Sequence, residues 1–167
     1  MSSTGDAEAV RHQDRLAEQA ARRLATRAMG RDISVAVAES LTCGAIATSL
    51  GATPGSSEWF RGGVVAYSSE VKFDVLGVPR GPVVTRDAAE TMAASVARLC
   101  SARLGIAVTG VGGPSHEEDL APGTVFVAVT FDGEMRSEQL HVPGSAEHVF
   151  SATVARAIDL AVSIIDT

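Results

Sequence analysis

The sequence predicts an α/β protein, a three-layer α/β/α sandwich whose mixed, mostly parallel sheet ends in a β-hairpin. First, short apolar runs rich in β-branched residues alternate with longer segments of helical period along the 167 residues. Second, the run from Ile33 to Ala38 is apolar without alternation, which is typical of a strand covered on both faces in a parallel sheet. Third, Asp132-Gly133 separates two late apolar runs and favours a hairpin, so part of the sheet must be antiparallel.

The first half of the chain is predicted to form two pairs of a helix and a strand. Apolar positions recur at helical spacing up to Met29, and Gly30 then provides a stop signal. In chain order we expect a flexible tail at residues 1–7, a helix over 7–29, a strand over 33–38, a helix over 42–50 and a strand over 63–67.

The second half is predicted to complete the sheet with one more parallel strand and the hairpin. Thr85 is a plausible N-cap for the next helix, because its hydroxyl can accept a free amide hydrogen of the first turn. In chain order we expect a helix over 86–103, a strand over 104–109, a glycine-rich turn over 110–114, hairpin strands over 125–131 and 135–142, and a helix over 146–165. Without an internal repeat or a linker, the sequence predicts one domain over residues 8–167.

Composition narrows the classes of partner. A formal net charge of -6 argues against broad electrostatic binding to nucleic acid or to an anionic membrane, and favours a small-molecule partner. Cys43 and Cys100 have neither CxxC spacing nor a disulfide-dense pattern, which favours a reduced compartment and argues against zinc. The acidic N-terminus does not have the features of a signal peptide, and no run of about 18 apolar residues is present. We therefore expect a soluble, cytoplasmic protein.

The only lysine, Lys72, follows the only tyrosine, Tyr67, by five positions, although thirteen arginines supply all the other permanently basic side chains. Arginine stays protonated, whereas a partly buried lysine can lose its proton and act as a base. This pair therefore indicates a chemical role near the end of the predicted strand over 63–67. The alternative interpretation is a solvated surface lysine in a chain that favours arginine for other reasons.

A second candidate segment, Glu39 to Gly44, lies where a buried strand gives way to a helix. In α/β proteins such a junction exposes side chains and free amide groups at the carboxyl end of the sheet. Ser40 could present its hydroxyl there, while amides near residues 42–44 face an anion or a developing oxyanion. Two alternatives stay open: Ser40 or Thr42 caps the helix, and Cys43 is either a nucleophile or a small buried thiol.

Two other segments are less specific. The turn from Gly110 to Pro114 does not fit a dinucleotide fingerprint, so a tight turn and a backbone nest for phosphate are both open. The segment His116 to Asp119 is interpreted as a solvated acidic turn, because adjacent residues do not easily converge on a metal. His141 and His148 are assigned no role.

Three ordered motifs closely resemble the C-terminal domain of the competence/damage-inducible protein CinA. The resemblance covers residues 8–165 and rests on Ala38-Glu39-Ser40-Leu41-Thr42-Cys43-Gly44, on Phe60-Arg61-Gly62-Gly63-Val64-Val65-Ala66-Tyr67-Ser68-Ser69-Glu70-Val71-Lys72, and on Val108-Thr109-Gly110-Val111-Gly112-Gly113-Pro114 followed by Gly123-Thr124-Val125. That family includes nicotinamide mononucleotide amidohydrolases, which convert the carboxamide to an acid and release ammonia.

The resemblance implies a site and a reaction. Ser40 matches the family's proposed nucleophile, and Lys72 and Tyr67 match the lysine and tyrosine of its second motif; unprotonated Lys72 would act as the base, directly or through Tyr67. The substrate-binding residues are expected to be Glu39, Thr42, Cys43, Gly44, Thr109, Gly110 and Gly113. No metal or redox cofactor is implied. The expected partner is a small-molecule nucleotide substrate, without nucleic acid or membrane, and a homo-oligomer is the default expectation for a protein of this kind.

This chain departs from the family pattern at several positions. Cys43 stands where the family usually has a glycine, and two consequences are open: its side chain narrows the space for substrate, or it changes the local backbone. Ser69 replaces the usual asparagine. The late pattern G-D-R-x-x-(V/I)-R survives only as Gly144-Ser145-Ala146-Glu147-His148-Val149-Phe150, without its two arginines. Two alternatives to the deamidase therefore follow: a family member that binds a nucleotide or a protein without efficient hydrolysis, and an amidase with a different substrate.

Overall fold

The computed structural model describes residues 3–167. Its helices and strands, in chain order, are α1 (Ser3–Gly30), β1 (Val35–Glu39), α2 (Ala45–Gly51), α3 (Ser56–Trp59), β2 (Phe60–Val65), α4 (Ser69–Asp74), α5 (Arg86–Leu99), β3 (Leu104–Gly110), β4 (Thr124–Phe131), β5 (Glu134–His141) and α6 (Ala146–Ile165).

The five strands form one mixed sheet in the order β2-β1-β3-β4-β5. Strand β1 pairs in parallel with β2 and β3, whereas β4 is antiparallel to both β3 and β5. Four strands therefore run in one direction, and the predicted fold class is confirmed. The hairpin turn contains Asp132 and Gly133, both with positive φ as a tight turn of this kind requires.

Helices cover the sheet on both faces, so the protein has three layers. On one face α6, with α1 packed against it, covers inward-facing strand residues, and Val37 and Ile106 belong to this core. On the other face α5 packs on smaller residues, among them Ala36 and Ala107. Small side chains there allow a close approach, and at Gly105 an added Cβ would collide with the backbone of α5.

Several predicted boundaries shift in the structure. Helix α1 begins at Ser3, so residues 3–7 of the predicted tail are helical, while Met1 and Ser2 lie outside the described residues. Helix α2 begins at Ala45, three residues later than predicted, because residues 41–44 form a separate turn. Thr85 caps α5 as expected, since its hydroxyl accepts the amide hydrogen of Ala88.

Helix α6 is long and apolar enough to cross a membrane by length and composition alone. However, 67% of its most apolar window is buried, and it packs against α1 and the sheet. Its apolar character is thus explained as that of a core helix.

Candidate active site

Strand pairing brings the candidate segments together at one edge of the sheet. Glu39, the last residue of β1, pairs with Val65 on one side and Val108 on the other. The pairing continues one residue further, because Ser40 N donates to Val108 O and Ala66 N donates to Glu39 O. The residues that follow these three strands are therefore neighbours, as expected for the carboxyl ends of parallel strands.

A cavity of about 520 Å³ opens at this edge. It is lined by Ser40, Leu41, Tyr67, Lys72, Val83, Val84, Thr109, Gly110, Val111, Gly112, Gly113, Pro114, Ser115, His116, Glu117, Ala146 and Phe150.

Ser40 lies on the cavity wall directly after β1 and is only 7% exposed. Its backbone is fixed on both sides, since its amide donates to Val108 O and its carbonyl accepts from Cys43 N. Among residues 3–167, no hydrogen-bond partner for its hydroxyl is found. Ser40 therefore has a fixed backbone and an uncommitted hydroxyl at a cavity, as a nucleophile requires.

Lys72 is buried, with 3% of the residue exposed, so the alternative of a solvated surface lysine is wrong. It lies on α4, a short helix that begins after Ser68, whose hydroxyl accepts the amide hydrogen of Val71. Its Nζ donates to the backbone carbonyl of Tyr67 at 3.3 Å. Burial lowers the pKa of the Lys72 ammonium, while the carboxylates of Glu117 and Glu118 oppose this without cancelling it.

Tyr67 lines the same cavity, but its contact with Lys72 is made by its main chain. The residue is 71% exposed, which places the phenol at the cavity mouth.

Glu39 does not line the cavity; its fully buried carboxylate instead organises the turn that carries Ser40. It accepts hydrogen bonds from Thr42 Oγ1 at 2.6 Å and from the amides of Gly44, Ile46 and Ala47 at 3.1, 3.0 and 2.8 Å. These amides belong to the turn and the start of α2, where free N–H groups need acceptors. Neither Ser40 nor Thr42 caps α2, because the Glu39 side chain does so from within the strand.

This arrangement changes the expected oxyanion site. The amides of Cys43 and Gly44 donate to Ser40 O and to Glu39, so they are not free to bind a substrate oxygen. In the described chain the amides of Leu41 and Thr42 have no protein acceptor. Of these two residues only Leu41 lines the cavity, so its amide is the candidate donor in place of those expected near residues 42–44.

Cys43 also lies outside the cavity lining, and its side chain is exposed, not buried. Its φ of 48° is in the left-handed region, and Gly44 follows with a φ of 97°. A glycine would adopt the first conformation without the steric cost that a Cβ brings. The consequence of Cys43 is thus backbone strain in the turn, and not a narrower cavity.

Thr109 and the segment Val83-Val84 form another part of the wall. Thr109 Oγ1 is buried and donates to Val83 O at 2.8 Å. Its hydroxyl is therefore committed to structure, although the residue lines the cavity. Gly110 and Gly113 line the cavity through their backbone, as expected for the glycine-rich turn.

The loop after this turn is anchored, which the interpretation of a solvated acidic turn missed. The exposed Glu118 carboxylate accepts from Val83 N at 2.8 and 3.0 Å and from Val84 N at 2.8 Å. Beside it, His116 and Glu117 line the cavity. A single sequence gives no signal that the Glu118 side chain binds amides 34 and 35 positions earlier in the chain.

The structure thus brings together six of the predicted site residues and leaves four outside. Those on the cavity wall are Ser40, Lys72, Tyr67, Thr109, Gly110 and Gly113, and those outside it are Glu39, Thr42, Cys43 and Gly44. Ala146 and Phe150, at the start of α6, also line the cavity, and they are the two positions where the resembling pattern has arginines.

The fold and the cavity define a class: a three-layer α/β protein in which a buried lysine and a strand-end serine line one cavity. A sequence profile of the CinA C-terminal domain matches residues 16–165, and the chain belongs to this family.

Relatives and solved structures agree with this assignment. The chain is similar to a CinA-like protein of Frankia casuarinae, with 37% identity over 135 residues that cover 78% of this chain and 31% of that protein. A CinA-like protein of Myxococcus xanthus is 42% identical over 123 residues, covering 70% and 29%. The chain thus spans about a third of the length of these relatives.

Two crystal structures cover nearly the whole chain. A CinA superfamily protein from Klebsiella pneumoniae has a TM-score of 0.85 at 28% identity, covering 90% of this chain and 98% of that one. The competence/damage-inducible protein CihA from Agrobacterium tumefaciens has a TM-score of 0.85 at 28% identity, covering 91% and 96%.

Proposed function

We propose that this protein is a serine amidohydrolase that deamidates nicotinamide mononucleotide and releases ammonia, in pyridine nucleotide recycling. Membership of the CinA family supports the class, and the presence of both Ser40 and Lys72 in the lining of one cavity supports the chemistry. The cavity volume of about 520 Å³ is in the range of small-molecule sites.

The observation that carries the proposal is the burial of the only lysine at this cavity. Lys72 is 3% exposed as a residue, and its Nζ has one carbonyl acceptor, at 3.3 Å, so its ammonium is poorly solvated. Its pKa is lowered for that reason, which increases the fraction of neutral amine that can accept a proton.

In the proposed reaction the neutral amine of Lys72 accepts the proton of the Ser40 hydroxyl, and the serine oxygen attacks the carboxamide carbon. The tetrahedral oxyanion is held by the amide of Leu41, which follows Ser40 and lines the cavity. The carbon–nitrogen bond then breaks, and Lys72 returns the proton to the departing ammonia. Water hydrolyses the acyl-enzyme, which yields the carboxylate product and restores the serine.

The direct test is ammonia release from nicotinamide mononucleotide by the wild type and by Lys72 variants. Lys72→Arg keeps the charge but cannot act as a base, and Lys72→Met keeps the length without the amine, so each should lower kcat about a hundredfold or more. Thermal unfolding of both variants controls for loss of the fold. Near-normal turnover by the arginine variant would exclude the proposed role.

The pH dependence of the reaction provides a second test. Because Lys72 must be neutral to act as a base, kcat/KM should rise with pH as the amine loses its proton. Burial lowers the pKa of this group, so the rise should have its midpoint below that of an exposed lysine. Glu117→Gln removes a charge that favours the protonated amine, and should move the midpoint to lower pH. A midpoint that is unchanged in this variant would contradict the assignment of the rise to Lys72.

A second candidate is a CinA-family domain that binds a nucleotide without efficient hydrolysis. The observation that favours it is the pair Ala146 and Phe150, which line the cavity where the resembling pattern carries arginines. Calorimetry separates the two functions: saturable nucleotide binding without ammonia release supports binding alone, and rapid deamidation rules it out. The expected homo-oligomer and the expected cytoplasmic location stay predictions.

A further inference from the structure

The charged groups around the cavity do not suit a phosphate. The ionisable side chains on its wall are those of Tyr67, Lys72, His116 and Glu117, and no arginine is among the lining residues. The two side chains that α6 contributes to the lining, those of Ala146 and Phe150, are apolar. Guanidinium groups are favoured for bidentate binding of phosphate, and here the basic side chain beside His116 on the cavity wall is a buried lysine whose charged form is disfavoured.

Glu117 is held at this wall by its neighbours. Its amide donates to Leu120 O at 3.2 Å and its carbonyl accepts from Leu120 N at 2.9 Å, which closes a tight loop. The next residue, Glu118, binds the amides of Val83 and Val84 through both of its carboxylate oxygens. The backbone that carries Glu117 is therefore held by its own hydrogen bonds with Leu120 and by the contacts of the neighbouring Glu118 side chain.

The charge of Glu117 acts inside the cavity. The largest influence on the pKa of the Lys72 ammonium is burial, and the second is the negative charge of Glu117, which favours the protonated form. A field that favours a positive charge on Lys72 also favours a positive charge on a ligand at the same wall, and opposes a phosphate there.

We propose that Glu117 is the specificity-determining residue of this cavity, an inference that rests on the proposed deamidase function. The Glu117 carboxylate selects an aromatic carboxamide whose ring carries a positive charge. The substrate's phosphate contributes little to recognition. A pyridinium carboxamide has this chemistry, because alkylation of the ring nitrogen leaves a permanent cation next to the amide.

The test compares two carboxamides of similar size. 1-Methylnicotinamide has a cationic ring and nicotinamide a neutral one, so the ratio of their kcat/KM values contains both ring reactivity and recognition. Glu117→Gln leaves ring reactivity unchanged, so any change in the ratio reports recognition. We expect the ratio to fall about fivefold, as for a partly exposed charge pair. An unchanged ratio would overturn the proposal.

The design separates recognition from proton transfer. Removing Glu117 also affects Lys72, but that effect is common to both carboxamides and cancels in the ratio. Asp119→Asn is the matched control, because Asp119 is an exposed acid of the same loop that does not line the cavity. Its ratio should equal that of the wild type, and an equal fall in both variants would show a general charge effect and contradict a specific role for Glu117.

The phosphate is tested with nicotinamide mononucleotide and nicotinamide riboside, which differ only in that group. We expect their kcat/KM values to agree within about threefold, since no guanidinium lines the cavity. A larger preference for the nucleotide would show phosphate recognition and overturn this part of the proposal.

Failure of the deamidase function would be visible separately. If no carboxamide releases ammonia, the proposed deamidation is excluded. Calorimetry with Ser40→Ala then tests recognition alone. Tighter binding of 1-methylnicotinamide than of nicotinamide, abolished by adding Glu117→Gln, would uphold selection of the ring charge. Equal binding of the two compounds, or binding of neither, would exclude it.

Discussion

Two loops flank the cavity, and a glutamate holds each of them in a different way. Glu39 is fully buried and binds groups three to eight residues along the chain, within the turn that carries Ser40. Glu118 is exposed and binds the amides of Val83 and Val84, about 35 residues away. The buried Glu39 carboxylate therefore organises a local turn, and the exposed Glu118 carboxylate connects two segments that are distant in the sequence.

The difference in solvent access determines what each carboxylate contributes. Without the Glu39 carboxylate, buried amides would have no acceptor, and buried unsatisfied groups are costly. Without Glu118, water can bind the freed amides at the surface, so the loss is smaller. We therefore expect the Ser40 turn to depend on Glu39 for stability, and the outer loop to depend on Glu118 mainly for its position.

The largest expected effect is that of Glu39→Gln. An uncharged amide offers only one acceptor oxygen for four donors, so the free energy of unfolding should fall by about 3 kcal/mol. Urea denaturation would measure this loss. Glu134→Gln, at an exposed position on β5, is the matched control and should change stability by less than about 0.5 kcal/mol. A similar small effect at both positions would mean that Glu39 is not essential to the turn.

A smaller effect is expected for Glu118→Gln, because the side chain is exposed. The free energy of unfolding should fall by roughly 0.5 to 1 kcal/mol. The more specific consequence is local: hydrogen exchange at the amides of Val83 and Val84 should accelerate several-fold, while exchange in the Ser40 turn stays unchanged. Unchanged exchange at both valines would contradict the anchoring role.

The smallest expected effect is a gain, from Cys43→Gly. Relief of the left-handed strain at φ 48° is partly offset by the greater freedom of glycine in the unfolded chain, so the gain should be roughly 0.5 kcal/mol. Cys43→Ala keeps the strain and should give no gain, which makes it the control for loss of the thiol. Equal stability of the two variants would exclude strain as the consequence of Cys43.

The sequence was sufficient for the fold because its signals there are local. The unbroken apolar run of β1, the Thr85 cap and the Asp132-Gly133 turn each depend on residues close in the chain, and the structure has all three. Boundaries were less predictable: residues 41–44 have the composition of a helix start, but the inward reach of Glu39 makes them a separate turn.

The site was predictable only in part, for a related reason. Patterns placed Ser40 and Lys72 each just after a predicted strand, and the structure has both among the residues that line one cavity. Whether the Glu39 side chain points into a cavity or into its own turn depends on its direction in the folded chain, which the neighbouring residues in the sequence do not reveal. The partners of Glu118 lie far away in the chain, so that anchor required the folded structure.

Trp59, the only tryptophan, is 3% exposed, joins the core beneath α1 and does not line the cavity. Its indole should therefore emit in the blue region while the protein is native and shift to red on denaturation. Because no ligand in the cavity would touch it, this single fluorophore gives an optical record of unfolding that is independent of ligand occupancy.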